Sequence, residues 1–184
     1  PTHDSRLIAH PVSASASPKQ RLAIARRMFS YRFDETDIGD KKLKDLMAME
    51  GRRQRELYAR LSDHYGIKWR GRKAESQEIP VSDLTNRLMT YANAYLYGIV
   101  TAATHSLGLS PHVGFIHSGS PLPFIYDIAD IYKPHFSIDL AFKLTKDMRG
   151  SFDRKVLEEA FRERVVEENL VARLPDDIHY CLGF

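Results

Sequence analysis

The sequence predicts an all-α fold, and three observations predict it. Apolar residues recur at helical spacing over several long segments. Prolines, glycines and capping residues stand where those segments begin and stop. No segment alternates convincingly, the nearest being residues 67–69 and 113–116, and no internal repeat is visible. With 184 residues the chain is long enough for one domain with a sizeable core. Its 43% hydrophobic and 28% charged content is that of a folded globular protein rather than a disordered one.

Residues 1–17 lack periodicity and contain Pro11 and the small-residue run Ser13–Ser17, which reads as a linker; residues 18–184 read as the helical domain. Ser17-Pro18-Lys19-Gln20 matches a capping box, and Leu22, Ala25, Met28, Phe29 and Phe33 give the helix that follows. A second helix is expected from about Asp40 to His64, with the stripe Leu43, Leu46, Met47, Leu57, Tyr58, Leu61 and Tyr65. Glu50 and Gln54 fill a gap in that stripe, a position where an unpaired carboxylate is unusual. Gly51 beside Glu50 is a poor helix residue, costing about 1 kcal/mol relative to alanine.

Residues 66–81 form a basic loop in which Trp69 either stacks a ligand or pins the loop to the core, and pinning is the favoured explanation. A long, largely buried helix is expected from a Ser82 or Asp83 cap to Leu107, stopped by Gly108. On it Asn86 and Asn93 are polar groups that need partners. Ser120 and Pro121 then provide an N-cap and a first helical residue. The apolar run after them carries Asp127 and Asp130, three apart and on one helical face. Two carboxylates in such a run lose hydration and repel each other, so they need a cation, a proton or donors. Pro134 is expected to end that helix. A short helix from about Ser137 to Asp147 and a long one from about Ser151 to Leu174, ended by Pro175, complete the chain.

Several function classes are excluded. No apolar run approaches 18 residues, so no membrane span is expected. The chain opens on Pro1 without a signal-peptide core and reads as a processed chain or as part of something longer. The single cysteine, Cys181, rules out an intramolecular disulfide and fits a reducing cytoplasm. A P-loop, a Cys-x-x-Cys zinc arrangement and a Gly-x-Ser-x-Gly elbow are all missing. Residues 41–73 carry eleven Lys/Arg against four Asp/Glu, while 151–184 carry five against eight. That asymmetry suits either a phosphate-binding face or a solvated helix beside a basic loop. By spacing alone, Glu50, His117 and Asp130 form a weak metal-ligand set. Its hard oxygens and one imidazole suit Mg2+ or Mn2+. His64, His105, His112 and His135 stand singly and read as core or surface histidines.

The stretch Gly-Phe-Ile-His-Ser-Gly-Ser-Pro-Leu-Pro-Phe-Ile-Tyr-Asp-Ile-Ala-Asp, residues 114–130, closely resembles the helical catalytic domain of the CRISPR-associated integrase, in its type I-E form. The resemblance extends, in order, over Arg26-Arg27-Met28-Phe29 with Arg32-Phe33, Met49-Glu50-Gly51 with Arg53 and Arg55, Tyr65-Gly66 with Trp69, and Leu96-Tyr97-Gly98. It implies that Glu50, His117 and Asp130 are the metal ligands and that Asp127 is the family's additional acid. It implies a metal-dependent endonuclease and integrase that inserts foreign DNA into a CRISPR array by attack of a 3′-hydroxyl on a phosphodiester. The implied partners are double-stranded DNA (protospacer and CRISPR repeat), a homodimer mate and the small second CRISPR adaptation protein. The implied location is the prokaryotic cytoplasm. Residues 1–17 would then be the linker after the family's N-terminal β-rich domain, which the sequence does not include. Arg53, Arg55 and Lys133 are the expected phosphate-gripping residues, and Tyr126 either orients a phosphate or packs. The alternative, from a different class, is a helical DNA-binding or assembly module of the adaptation complex with no chemistry of its own.

Overall fold

The structure, a computed structural model, describes residues 17–33, 38–73, 83–149 and 151–184. Among these the secondary structure is helical with no strand, so the all-α expectation holds. The helices are α1 (Pro18–Phe33), α2 (Leu43–Tyr65), α3 (Leu84–Ser106), α4 (Pro123–Lys133), α5 (Leu140–Met148), α6 (Arg154–Glu167) and α7 (Leu170–Leu182). A π-helical segment, Pro134–Asp139, stands between α4 and α5. The linker expected over 1–17 lies outside the described residues, apart from Ser17.

The described residues group into two compact units. One is drawn from Pro1–Met49, Tyr97–Ile131 and Leu170–Phe184; the other comprises Glu50–Leu96 and Tyr132–Asn169. In the first, α1 packs on α7. Ile24, Ala25, Met28 and Phe29 form the buried face of α1, and Leu170, Leu174, Ile178, Cys181 and Leu182 that of α7. The four-residue spacing on α7 makes one apolar stripe, and each such side chain contributes about 1.5–3 kcal/mol on burial. Tyr31 Oη donates to Asp177 Oδ1 at 2.5 Å. Arg27 closes the end of α7 by donating to the carbonyls of Cys181 (3.0 Å) and Leu182 (2.8 Å).

In the second unit, Trp69 stacks on Tyr58 at 4.8 Å and lies 5.2 Å from Phe142, so it pins residues 66–73 of the basic loop to the core, the rest of that loop lying outside the described residues. Phe136 and Phe161 meet edge to face, and Tyr95 approaches Phe161 in the same way. Asn86 is fully employed: it accepts from Arg72 and from the Lys73 amide, and donates to the Gly71 carbonyl and to Asp83. Asn93 differs, because its Oδ1 is buried with no partner among the described residues. Asp139 accepts from Tyr65 Oη (3.0 Å) and from Arg164 Nη1 (2.9 Å), and Arg164 also donates to the His135 carbonyl.

Four boundaries differ from expectation, each for a local reason. α4 begins at Pro123 rather than Pro121, because a residue before proline is driven out of the helical region, which excludes Leu122. Pro134 does not end the helical path. Its missing N–H is absorbed by the π-helical segment, where Ser137 Oγ also donates to the Lys133 carbonyl at 3.1 Å. The expected single helix over 151–174 is two, broken where Asn169 takes φ +49, a conformation that asparagine tolerates. Pro175 lies inside α7 instead of ending a helix, and Cys181, beyond the last expected helix, is a fully buried core residue. Met47, assigned to the apolar stripe of the second expected helix, is exposed at 47%.

Candidate functional site

The site is built on the turn before α4 and on α4 itself. Leu109 to Pro121 is tied down at two points: the Phe124 amide donates to the Pro111 carbonyl (3.2 Å), and His112 Nδ1 lies 2.9 Å from the Pro121 carbonyl. α4 then presents Phe124, Ile125, Ile128 and Ala129 to the core, all buried. Asp127 is buried on the same helix, at 1% exposure, which would be costly for a lone carboxylate.

Its oxygens are saturated with donors. Oδ2 accepts from the amides of Phe115 (2.6 Å) and Ile116 (3.1 Å). Oδ1 accepts from the His117 amide (2.9 Å) and lies 2.7 Å from His117 Nδ1. A carboxylate has about four lone-pair directions, and all four are taken. Asp127 therefore spends its charge on holding residues 115–117 and the imidazole.

Asp130, one turn later, is differently placed. Its Oδ2 lies 3.5 Å from His117 Nε2 and 4.0 Å from Arg32 Nη1 of α1. The Asp130 and Arg32 side chains are 14% and 8% exposed, so the guanidinium offsets the second aspartate in a partly desolvated setting. His117 itself is 37% exposed at the side chain. Tyr126 packs its ring against Tyr97 at 5.0 Å and faces His117 at 6.3 Å.

His117, Asp127 and Asp130 are thus brought together, with Arg32 beside them. Glu50 is half-buried on α2 and belongs to the second compact unit, as do Arg53, Arg55 and Lys133. Arg55 is exposed, and its guanidinium lies over Gly51, 3.5 Å from where a Cβ would stand. That is ordinary contact, so no described protein atom requires a glycine at position 51. Among the described residues, no group of three or more His, Cys, Asp or Glu side chains is assembled to hold a metal ion. Nor is any described helix long and apolar enough to cross a membrane.

Sequence reasoning gives no role to Arg21, Arg32 or Gly114. One signal for Arg21 exists: a cation in the first turn of a helix opposes the helix dipole, and α1 has no acidic residue there.

Comparison with known proteins bears on the family and the fold. The family model described as CRISPR associated protein Cas1 matches residues 30–168. The chain is 48% identical over 183 residues to CRISPR-associated endonuclease Cas1 2 of Chlorobaculum tepidum, covering 100% of this chain and 62% of that protein. It is 38% identical over 136 residues to CRISPR-associated endonuclease Cas1 of Escherichia coli, covering 74% of this chain and 45% of that one. The crystal structure of a TtCas1–DNA complex matches with a TM-score of 0.85 at 33% identity, over 96% of this chain and 62% of that chain. A Cas1 protein from Thermotoga maritima, at 16% identity and a TM-score of 0.69, shares the fold. The chain spans about three fifths or less of the length of these curated relatives. With a family model over most of its length and a helical fold shared with Cas1 structures, the chain belongs to the CRISPR-associated protein Cas1 family.

Proposed function

We propose that the chain supplies the metal-dependent endonuclease and integrase chemistry of CRISPR spacer acquisition, cutting and joining DNA phosphodiesters. The observation that carries this reading is the His117–Asp127–Asp130 arrangement. With Nδ1 engaged by Asp127, the other ring nitrogen and one Asp130 oxygen face each other at 3.5 Å. One imidazole nitrogen and one carboxylate oxygen are a donor pair that suits a divalent ion such as Mg2+ or Mn2+. A carboxylate behind a ligating histidine is a recurrent support for such a pair. Glu50 is the third ligand that the family likeness implies.

When bound, the ion would neutralise phosphate charge and lower the barrier to in-line displacement at phosphorus. The protein's own residues do the rest. Asp127 fixes the imidazole, Asp130 contributes charge on the same side, and Arg32 restrains the Asp130 carboxylate. Arg53, Arg55 and Lys133 grip backbone phosphates without reading sequence. The solved TtCas1–DNA complex supports DNA as the partner, and the proposal takes that DNA as double-stranded. A homodimer, the small second adaptation protein and a cytoplasmic setting complete the proposal.

The test is cleavage of double-stranded DNA by the chain with manganese, read on a denaturing gel. His117→Ala and Asp130→Ala are each expected to lower the rate about 100-fold or more while the helical circular dichroism is retained. Native-like cleavage by either variant would sink this reading. A native chain that binds DNA tightly with and without chelator, and never cuts, would identify a helical DNA-binding module instead.

A further inference from the structure

Residues 114–117 carry the histidine, and they are held on more sides than a surface turn requires. Asp127 takes the three amides of Phe115, Ile116 and His117. The opposite edge of the same peptide is taken by α1: Arg21 Nε donates to the Phe115 carbonyl at 2.8 Å. Phe115 therefore has its N–H fixed by a carboxylate and its C=O fixed by a guanidinium, while its ring is fully buried. A third restraint comes from Gly114. A Cβ there would collide with the His117 carbonyl oxygen and stand 2.5 Å from Pro123 Cβ, the first residue of α4. Both are backbone or ring atoms that cannot swing away, so only glycine lets the segment fold back onto the start of that helix.

These restraints converge on one variable, the orientation and tautomer of the His117 imidazole. Both ring nitrogens face a carboxylate, which only accepts, and the shorter contact takes the proton of the neutral ring: Nδ1 lies 2.7 Å from Asp127 Oδ1 and Nε2 3.5 Å from Asp130 Oδ2, which leaves the lone pair on Nε2. We propose that Arg21 and Gly114 act with Asp127 as positioning residues, which hold the 114–117 segment so that His117 presents Nε2 as a ready-made donor. Arg21 sits in the first turn of α1, where a cation is unfavourable to the helix. Its bond to Phe115 gives that residue a use. The proposal rests on the reading of His117 as a ligand, but its own content is the state of the metal-free protein.

The experiment uses the whole chain, labelled with 15N in histidine, without metal, at pH 8. Imidazole nitrogen–proton spectra report the tautomer, and His117 is assigned by the signals lost in His117→Gln. The native chain is expected to show His117 as the Nδ1–H tautomer alone, and Asp127→Asn to release the Nε2–H form. Because Gly114→Ala risks misfolding, Arg21→Met carries the second arm. It is expected to speed amide exchange at Phe115, Ile116 and His117 by about 10- to 100-fold, the loss of one hydrogen bond to a charged group. Arg21→Lys, which still donates, is expected to recover most of that protection. A native His117 that is mixed or Nε2–H, or an Arg21→Met chain with native exchange at these amides, would overturn the proposal. Failure of the two readings is separable. A fixed tautomer in a chain that never cleaves DNA removes the nuclease and leaves the cradle, and cleavage with a mixed tautomer does the reverse.

Discussion

At the scale of single residues, the two aspartates of α4 look equivalent in sequence and are not. Asp127 is enclosed and accepts from three backbone amides and an imidazole, whereas the contacts of Asp130 to His117 and Arg32 are long, at 3.5 and 4.0 Å. Asp127→Ala would strand buried donors, and it is expected to cost about 3–5 kcal/mol in urea unfolding. Asp130→Ala leaves Arg32 without this carboxylate and is expected to cost less stability than Asp127→Ala while losing activity, so stability and function separate in degree between neighbours one turn apart. The need of two buried carboxylates for donors was legible in the sequence. The identity of the donors was not, because they are backbone amides ten to twelve residues upstream, and an amide has no side-chain signature. The division of labour between Asp127 and Asp130 came only from the family resemblance.

At the scale of elements, α1 and α7 form the best-defined pair. Arg27 donates two hydrogen bonds to the last carbonyls of α7, a cation placed where the helix dipole favours one. Arg27→Met is expected to cost about 2–3 kcal/mol, measured as a shift in the urea midpoint. Burial pushes the Cys181 thiol up to about 12, with the nearby Asp177 carboxylate adding to the rise. Burial also raises the Tyr31 phenol, and its hydrogen bond to Asp177 raises it further. For both groups the folded state keeps a proton that the unfolded state releases, so their stabilisation is complete below the unfolded pKa and declines as pH rises. For Cys181 that window runs from about 9 to about 12. Unfolding free energy should fall there by up to about 1.4 kcal/mol per pH unit from this thiol, and Cys181→Ala should flatten the slope. Helix starts were legible because Ser17-Pro18 and Asp83 mark them chemically. Pro134, Asn169 and Pro175 misled because a proline or a left-handed asparagine acts through its backbone. The surrounding packing decides whether the chain stops, bulges or continues.

For the whole molecule, the all-α class was legible because helical spacing recurs along the chain, and the family followed from a long ordered motif rather than from any triad. Charge is the whole-chain property that bears most on function. The excess of Lys and Arg over 41–73 predicts DNA binding that weakens steeply with salt. Single substitutions Arg53→Ala, Arg55→Ala and Lys133→Ala should each lower affinity about equally across DNA sequences and reduce the salt slope by about one, measured by fluorescence anisotropy. The central claim is narrower: the His117–Asp130 pair takes up a divalent ion. Manganese titration of the chain, followed by electron paramagnetic resonance of the unbound ion, tests it most directly. The expected result is saturable uptake by the native chain and its loss in both His117→Ala and Asp130→Ala. A native chain that leaves the manganese signal unchanged, or variants that take it up as the native chain does, would contradict the claim.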